Sequence, residues 1–211
     1  MDNNPRQPWA LLTAVVAAIA YCGLAAATRA GVLADLDETI RSAVHADATP
    51  GLTALATAIS GAGRLAVLLP ASAAVVGGLV FARQRQHAVA LGVTMGGALL
   101  LNWLLKAIVH RARPHPFFGL EPQTFSFPSG HVFFACCFSG ALVLIFAIAR
   151  RHFYLGGTTL CALVLAMAWS RVYLGVHYPS DVAAGILIGV FWLSALVGLG
   201  LFSPQTVEQT A

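Results

Sequence analysis

Charge is what this chain has least of. Lys, Arg, Asp and Glu make up 9% of its 211 residues, against about 25% in an ordinary soluble domain. Twelve basic and eight acidic side chains cannot coat a water-soluble globule of this size. Cysteine is scarce too: Cys22, Cys136, Cys137 and Cys161 all lie in apolar stretches, without CxxC spacing. That pattern excludes a disulfide framework, and the four read as small buried hydrophobes. No cluster of acidic residues and no HExxH spacing offers a metal site. No basic run suggests a nucleic-acid partner, although the net charge is +4. Segments of alternating polarity, which a membrane β-barrel requires, are missing.

What the chain does have is apolar length. Hydrophobic residues are 58% of the total, which excludes intrinsic disorder. Six uncharged runs, each at least 18 residues long, cover 7–28, 65–82, 88–105, 132–149, 153–170 and 182–207. At about 1.5 Å rise per residue such a run spans ~27 Å, close to the ~30 Å hydrocarbon core of a bilayer. The runs predict an all-α polytopic membrane protein: one bundle of six transmembrane helices over 1–211, with no repeat and no domain boundary. The first run, preceded by Arg6, has a signal-peptide look at Ala25-Ala26-Ala27. It is longer than a signal core and is expected to be retained.

Between the first two runs, Leu36, Ile40 and Val44 recur every four residues among Asp37, Glu38, Arg41 and His45. This predicts a short amphipathic helix on the membrane surface. Thr49-Pro50 reads as an N-cap followed by proline at the first helical position, opening a second short interfacial helix. Ser60-Gly61-Ala62-Gly63 reads as the break that ends it.

With six spans, the connections 29–63, 106–130 and 171–181 share one side. The termini and the short basic connections 83–87 and 150–152 share the other. The raw count of Lys and Arg favours the first side, seven to five. However, Lys106, Arg113 and Arg171 have a separate explanation, and the other five sit in very short segments. The positive-inside rule then places the termini in the cytoplasm.

One rim of the bundle gathers the chemistry. Lys106 ends the third span, and Arg113-Pro114 follows. Pro128-Ser129-Gly130-His131 opens the fourth span, Ser170-Arg171 closes the fifth, and His177 and Asp181 lead into the sixth. Three cations left together would repel each other, so an anion is the natural occupant. Arginine offers a bidentate fork to phosphate, and lysine a point charge. Ser129 and Gly130 can present backbone N–H groups at a helix start. Arg111, His110 and His115 read as interface groups, and His45, His87 and His152 lie off the site. Phe117, Phe118, Phe125 and Phe127 flank the motifs, as a lipid-tail opening or as ordinary interfacial aromatics.

These residues carry a resemblance. K-A-I-V-H-R-A-R-P (106–114), P-S-G-H (128–131) and S-R-V-Y-L-G-V-H-Y-P-S-D (170–181) resemble the three-part signature of the type 2 phosphatidic acid phosphatase superfamily, with every signature position filled in order. The resemblance implies a phosphohydrolase that needs no metal or other cofactor. It implies His177 as nucleophile, Asp181 as the carboxylate that orients it, and His131 as general acid and then base. It further implies Lys106, Arg113, Ser129, Gly130 and Arg171 as holders of the phosphoryl oxygens.

The partner expected is a membrane lipid phosphate at the extracytoplasmic face of a bacterial inner membrane. Within the family, undecaprenyl diphosphate is favoured, ahead of phosphatidic acid, phosphatidylglycerol phosphate and lipid A phosphates. Two other readings stay open. A lipid acceptor could replace water, making a phosphotransferase. A protein that only binds headgroups would need the cations, but not two histidines and a carboxylate.

Overall fold

The computed structural model describes residues 7–119, 123–146 and 153–202, and among them the regular structure is entirely helical. Arg6, Arg150, Arg151 and His152 lie outside the described residues. The helices are α1 (Pro8–Arg29), α2 (Ala34–Ala46), α3 (Pro50–Ala62), α4 (Leu65–Phe81), α5 (Arg85–Val109), α6 (Gly130–Phe146), α7 (Phe153–Tyr173) and α8 (Pro179–Gly198). The six uncharged runs correspond to α1, α4, α5, α6, α7 and α8.

Among the described residues, three helices, or four candidates with a bent pair, are long and apolar enough to span a bilayer. α1, α5 and α8 are each long and apolar enough to cross a bilayer. α3 and α4 together make a fourth candidate, bent by 47° at the break between them. Within the described residues α6 is apolar over its 17 residues. The predicted surface role of α3 changes accordingly, because it is the first half of a bent pair rather than a free-standing interfacial helix. Its start is as expected: Thr49 accepts a hydrogen bond from the Leu52 N–H at 3.2 Å, and Pro50 follows.

Packing is arranged for lipid rather than water. On α1 the small residues Ala10, Ala14 and Ala17 point inward, while Leu12, Val15 and Ile19 are exposed. Small residues let helix backbones approach, and large apolar ones meet lipid without cost. Helix α6 occupies the centre, packed against α5, α7 and α8, and α1 lies along α8. Phe127, Phe133, Leu91 and Cys137 are fully buried in this core.

Helix α2 is amphipathic as predicted, and its polar face turns inward. Asp37 and Arg41 are buried, whereas Leu36 and Ile40 are exposed.

At Gly185 of α8 the nearest neighbour is backbone, which cannot swing aside as a side chain can. A Cβ there would stand 2.8 Å from the Ser129 carbonyl oxygen and 3.2 Å from the Val132 Cβ. Glycine is therefore required for α8 to lie against the start of α6. Gly185→Val is expected to destabilise the fold by about 1–3 kcal/mol through overpacking, seen as a lower thermal midpoint in detergent. Gly77→Ala, where nothing stands within 4 Å, is expected to be neutral or stabilising.

Candidate active site

Three backbone hydrogen bonds tie the motif segments to one another. Ser126 N–H donates to Arg111 C=O at 2.9 Å, Phe117 N–H to Leu174 C=O at 3.1 Å, and Ser129 N–H to Asp181 C=O at 2.9 Å. Residues distant in the chain are thereby fixed around one cavity of about 1070 Å³. Lys106, Arg113, Gly130, His131, Arg171 and His177 all line it. Asp181 and Ser129 do not. Asp181 stands behind His177, and Ser129 is fully buried. Because the Ser129 amide is already donated to Asp181, any contact of Ser129 with an anion must use its hydroxyl. That Oγ, the Asn102 Oδ1 and the Arg171 Nε are buried polar atoms without a partner among the described residues. Buried polar groups are normally satisfied, so these atoms keep hydrogen-bonding capacity beside the cavity. Gly130 keeps its place at the first position of α6, where the N–H groups precede the intrahelical ladder.

His177 sits in the turn between α7 and α8. Gly175, at φ +73°, makes that turn possible, since a Cβ would press on the Phe117 backbone nitrogen at 2.7 Å. Tyr178 is extended at ψ 153° ahead of Pro179, so His177 and Asp181 meet across a helix start. His177 Nδ1 lies 3.3 Å from Asp181 Oδ2, and the same oxygen accepts from Tyr178 N–H at 2.9 Å. On the other side of the ring, Nε2 accepts from Arg113 Nη1 at 3.1 Å. An arginine can only donate, so Nε2 holds a lone pair and Nδ1 carries the proton. Burial, together with Arg113, Arg171 and Lys106, pushes the His177 pKa well below the usual histidine value. The imidazole is neutral, with its lone pair turned to the cations.

Arg113 is held by Thr124, donating to its C=O at 2.6 Å and its hydroxyl at 2.9 Å, and by the Val176 C=O at 2.8 Å. Lys106 donates to the Phe125 carbonyl. Arg171 donates to the Ser60 hydroxyl, which ties α7 to α3.

Two residues that sequence reasoning set aside turn out to be central. Arg111, expected as an interface group, bridges two buried carboxylates: Asp181 Oδ1 and Asp37 Oδ2, each at 2.7 Å. Asp37, expected on a surface helix, also accepts from the Ser180 N–H at 2.9 Å. Burial alone would lower the Arg111 pKa; Asp181 and Asp37 reverse this and raise it. Its guanidinium also lies 4.1 Å from the centroid of the Tyr178 ring.

A third residue, Arg64, lines the cavity as well and has no motif to announce it. Its only sequence signal is its position beside the glycine break, on the same side as the motifs.

The four phenylalanines part company. Phe125 lines the cavity, Phe127 is fully buried in the core, and Phe117 stacks on His45 at 3.7 Å, where Phe118 also packs. The apolar wall comes instead from Leu65, Leu99, Trp103 and Phe134. Trp103 is 66% exposed on the outside of α5, so the cavity opens onto the apolar flank of the bundle.

The PAP2 superfamily model matches residues 87–201. Phosphatidylglycerophosphatase B of Bacillus subtilis is 30% identical over 171 residues, which cover 79% of this chain and 84% of that one. An undecaprenyl-diphosphatase of Sulfolobus acidocaldarius is 34% identical, over 69% of this chain and 68% of its own. The crystal structure of a transmembrane PAP2-type phosphatidylglycerolphosphate phosphatase from Bacillus subtilis superposes with a TM-score of 0.80 at 28% identity, covering 89% of this chain and 95% of that one.

The cations divide by what holds them. Arg111→Met strands two buried carboxylates and is expected to destabilise the protein by about 3–5 kcal/mol. Lys106→Met removes a like charge from beside Arg113 and Arg171, and is expected to leave the thermal midpoint unchanged or higher. Comparable losses of midpoint in the two variants would contradict this division. For His177, nitrogen-15 spectra of histidine-labelled protein are expected to show an Nδ1–H tautomer persisting well below pH ~6.5, where exposed histidines protonate. The sign for stability follows: below pH ~6.5 the unfolded chain takes up a proton that the folded one refuses, so stability falls as pH falls.

Proposed function

The chain belongs to the PAP2 superfamily, and from that premise we propose that it is a membrane-embedded lipid phosphatase acting without a metal ion. The observation that carries the reading is the state of His177. One ring nitrogen is turned to a buried carboxylate, and the other points its lone pair at a cationic cavity.

In the first step Nε2 of His177 forms a bond to phosphorus, and the bond from phosphorus to the leaving oxygen breaks. The electron pair stays on that oxygen, which takes a proton from His131. Asp181 holds the Nδ1–H and offsets the charge that develops on the ring. Lys106, Arg113, Arg171 and the start of α6 at Gly130 stabilise the phosphoryl oxygens, with the Ser129 hydroxyl as a further donor. A bound phosphate dianion neutralises the surrounding cations and so allows His131 to be protonated. In the second step water attacks phosphorus, His131 takes its proton, and the electron pair returns to Nε2 with release of phosphate.

The substrate favoured is undecaprenyl diphosphate, converted to undecaprenyl phosphate; phosphatidylglycerol phosphate, phosphatidic acid and lipid A phosphates are the alternatives. The names of relatives support the diphosphate, phosphatidylglycerol phosphate and lipid A members of this range. The chain is an integral membrane protein. Its proposed arrangement is a single unit of six spans in a bacterial inner membrane, with the termini cytoplasmic and the cavity on the outer face.

The test is phosphate release by purified protein in detergent. Activity is expected to survive EDTA and to fall by about 10³-fold or more in His177→Ala. A requirement for added magnesium, or turnover that persists in His177→Ala, would overturn the reading.

A further inference from the structure

The reacting phosphoryl group does not account for every cation in the cavity. Lys106, Arg113 and Arg171 surround His177. Arg111 is consumed by Asp37 and Asp181. Arg64 remains. It lines the same cavity, and its side chain has no hydrogen bond or ion pair among the described residues. It lies outside the stretch 87–201 that the family model matches.

Its place is defined by its neighbours. Gly63 packs on Met167 and beside the acid: a Cβ on it would press on the end of the Met167 side chain and stand 3.4 Å from the His131 ring. Arg64 follows immediately, and Leu65 after it continues the cavity wall toward apolar lining. Arg64 is therefore beside His131 rather than beside the nucleophile.

The side of the acid is the side of the leaving group. A monophosphate lipid leaves as an alcohol, which carries no charge for Arg64 to meet. A diphosphate lipid leaves as a lipid monophosphate, whose oxygens accept a guanidinium fork.

We propose that Arg64 binds the second, lipid-proximal phosphate of a diphosphate substrate and makes the enzyme selective for lipid diphosphates over lipid monophosphates. This rests on the phosphatase reading above and adds to it the residue that selects a diphosphate. Attack by His177 is at the terminal phosphorus. The bridging P–O bond breaks, its electron pair and the His131 proton go to the bridging oxygen, and the departing monophosphate stays paired with Arg64. The fourth cation then has a partner only while a diphosphate is bound. An exposed arginine that serves merely to attract anionic lipid would favour every lipid phosphate alike.

The experiment compares two substrates with the same tail, an isoprenyl diphosphate and the matching isoprenyl monophosphate, in detergent micelles. It measures the ratio of their kcat/KM values in the full-length protein, in Arg64→Gln and in Arg64→Lys. Arg64→Gln is expected to lower the ratio by about tenfold or more, and Arg64→Lys to restore part of it. Arg64 is exposed, and an unchanged thermal midpoint would separate this effect from misfolding. A ratio within twofold of wild type in Arg64→Gln overturns the proposal, whatever happens to the absolute rates. Wild-type protein that cleaves only the monophosphate overturns it as well, and leaves the phosphatase reading standing. Wild-type protein that cleaves neither overturns both.

Discussion

Asp181 is fully buried, and a carboxylate in that position must be compensated on every side. Arg111 supplies the charge, Tyr178 N–H a hydrogen bond, and His177 the ring that the carboxylate orients. Much of the site depends on this one group. Its charge fixes the tautomer of His177, and its backbone C=O receives the Ser129 amide that seats the start of α6. Arg111 in turn commits Asp37, which pins α2 to the mouth of α8 through Ser180. Because the network is ionic, removing one partner leaves another buried charge uncompensated.

The motif residues were legible because their spacing is dictated by covalent chemistry and helix geometry. Lys106 and Arg113 flank a helix end, Gly130 opens a helix, and His177 and Asp181 bracket a proline. What surrounds them was less legible. Asp37 sits in a pattern whose apolar stripe correctly announces an amphipathic helix, but periodicity reports only that two faces differ. It does not say which face meets the protein. In water the apolar side would turn inward. Beside a bilayer Leu36 and Ile40 can face lipid, and Asp37 and Arg41 turn to the site. Arg111 and Arg64 were hidden for a related reason, because a cation near a membrane surface looks the same in sequence whether it meets headgroups, a carboxylate or a substrate.

Span counting had its own limit. The uncharged runs located the helices well, since charge is what a bilayer rejects. Run length did not report the bend between α3 and α4, which joins a segment read as interfacial to one read as a full span. Glycine at Gly61 and Gly63 marked the break, and only the packing of α3 on α7 gives its direction.

The cavity's opening onto the exposed face of Trp103 has an energetic consequence. Lifting a lipid tail from the bilayer costs about 0.8 kcal/mol per methylene, so ten carbons would consume ~8 kcal/mol, more than a small polar headgroup site returns on binding. A lateral doorway removes that cost, because the tail stays in its own solvent and only the phosphate changes surroundings. The search for substrate is then a walk in two dimensions. Its concentration variable is molecules per area of membrane, and the binding energy saved is left for the phosphorus.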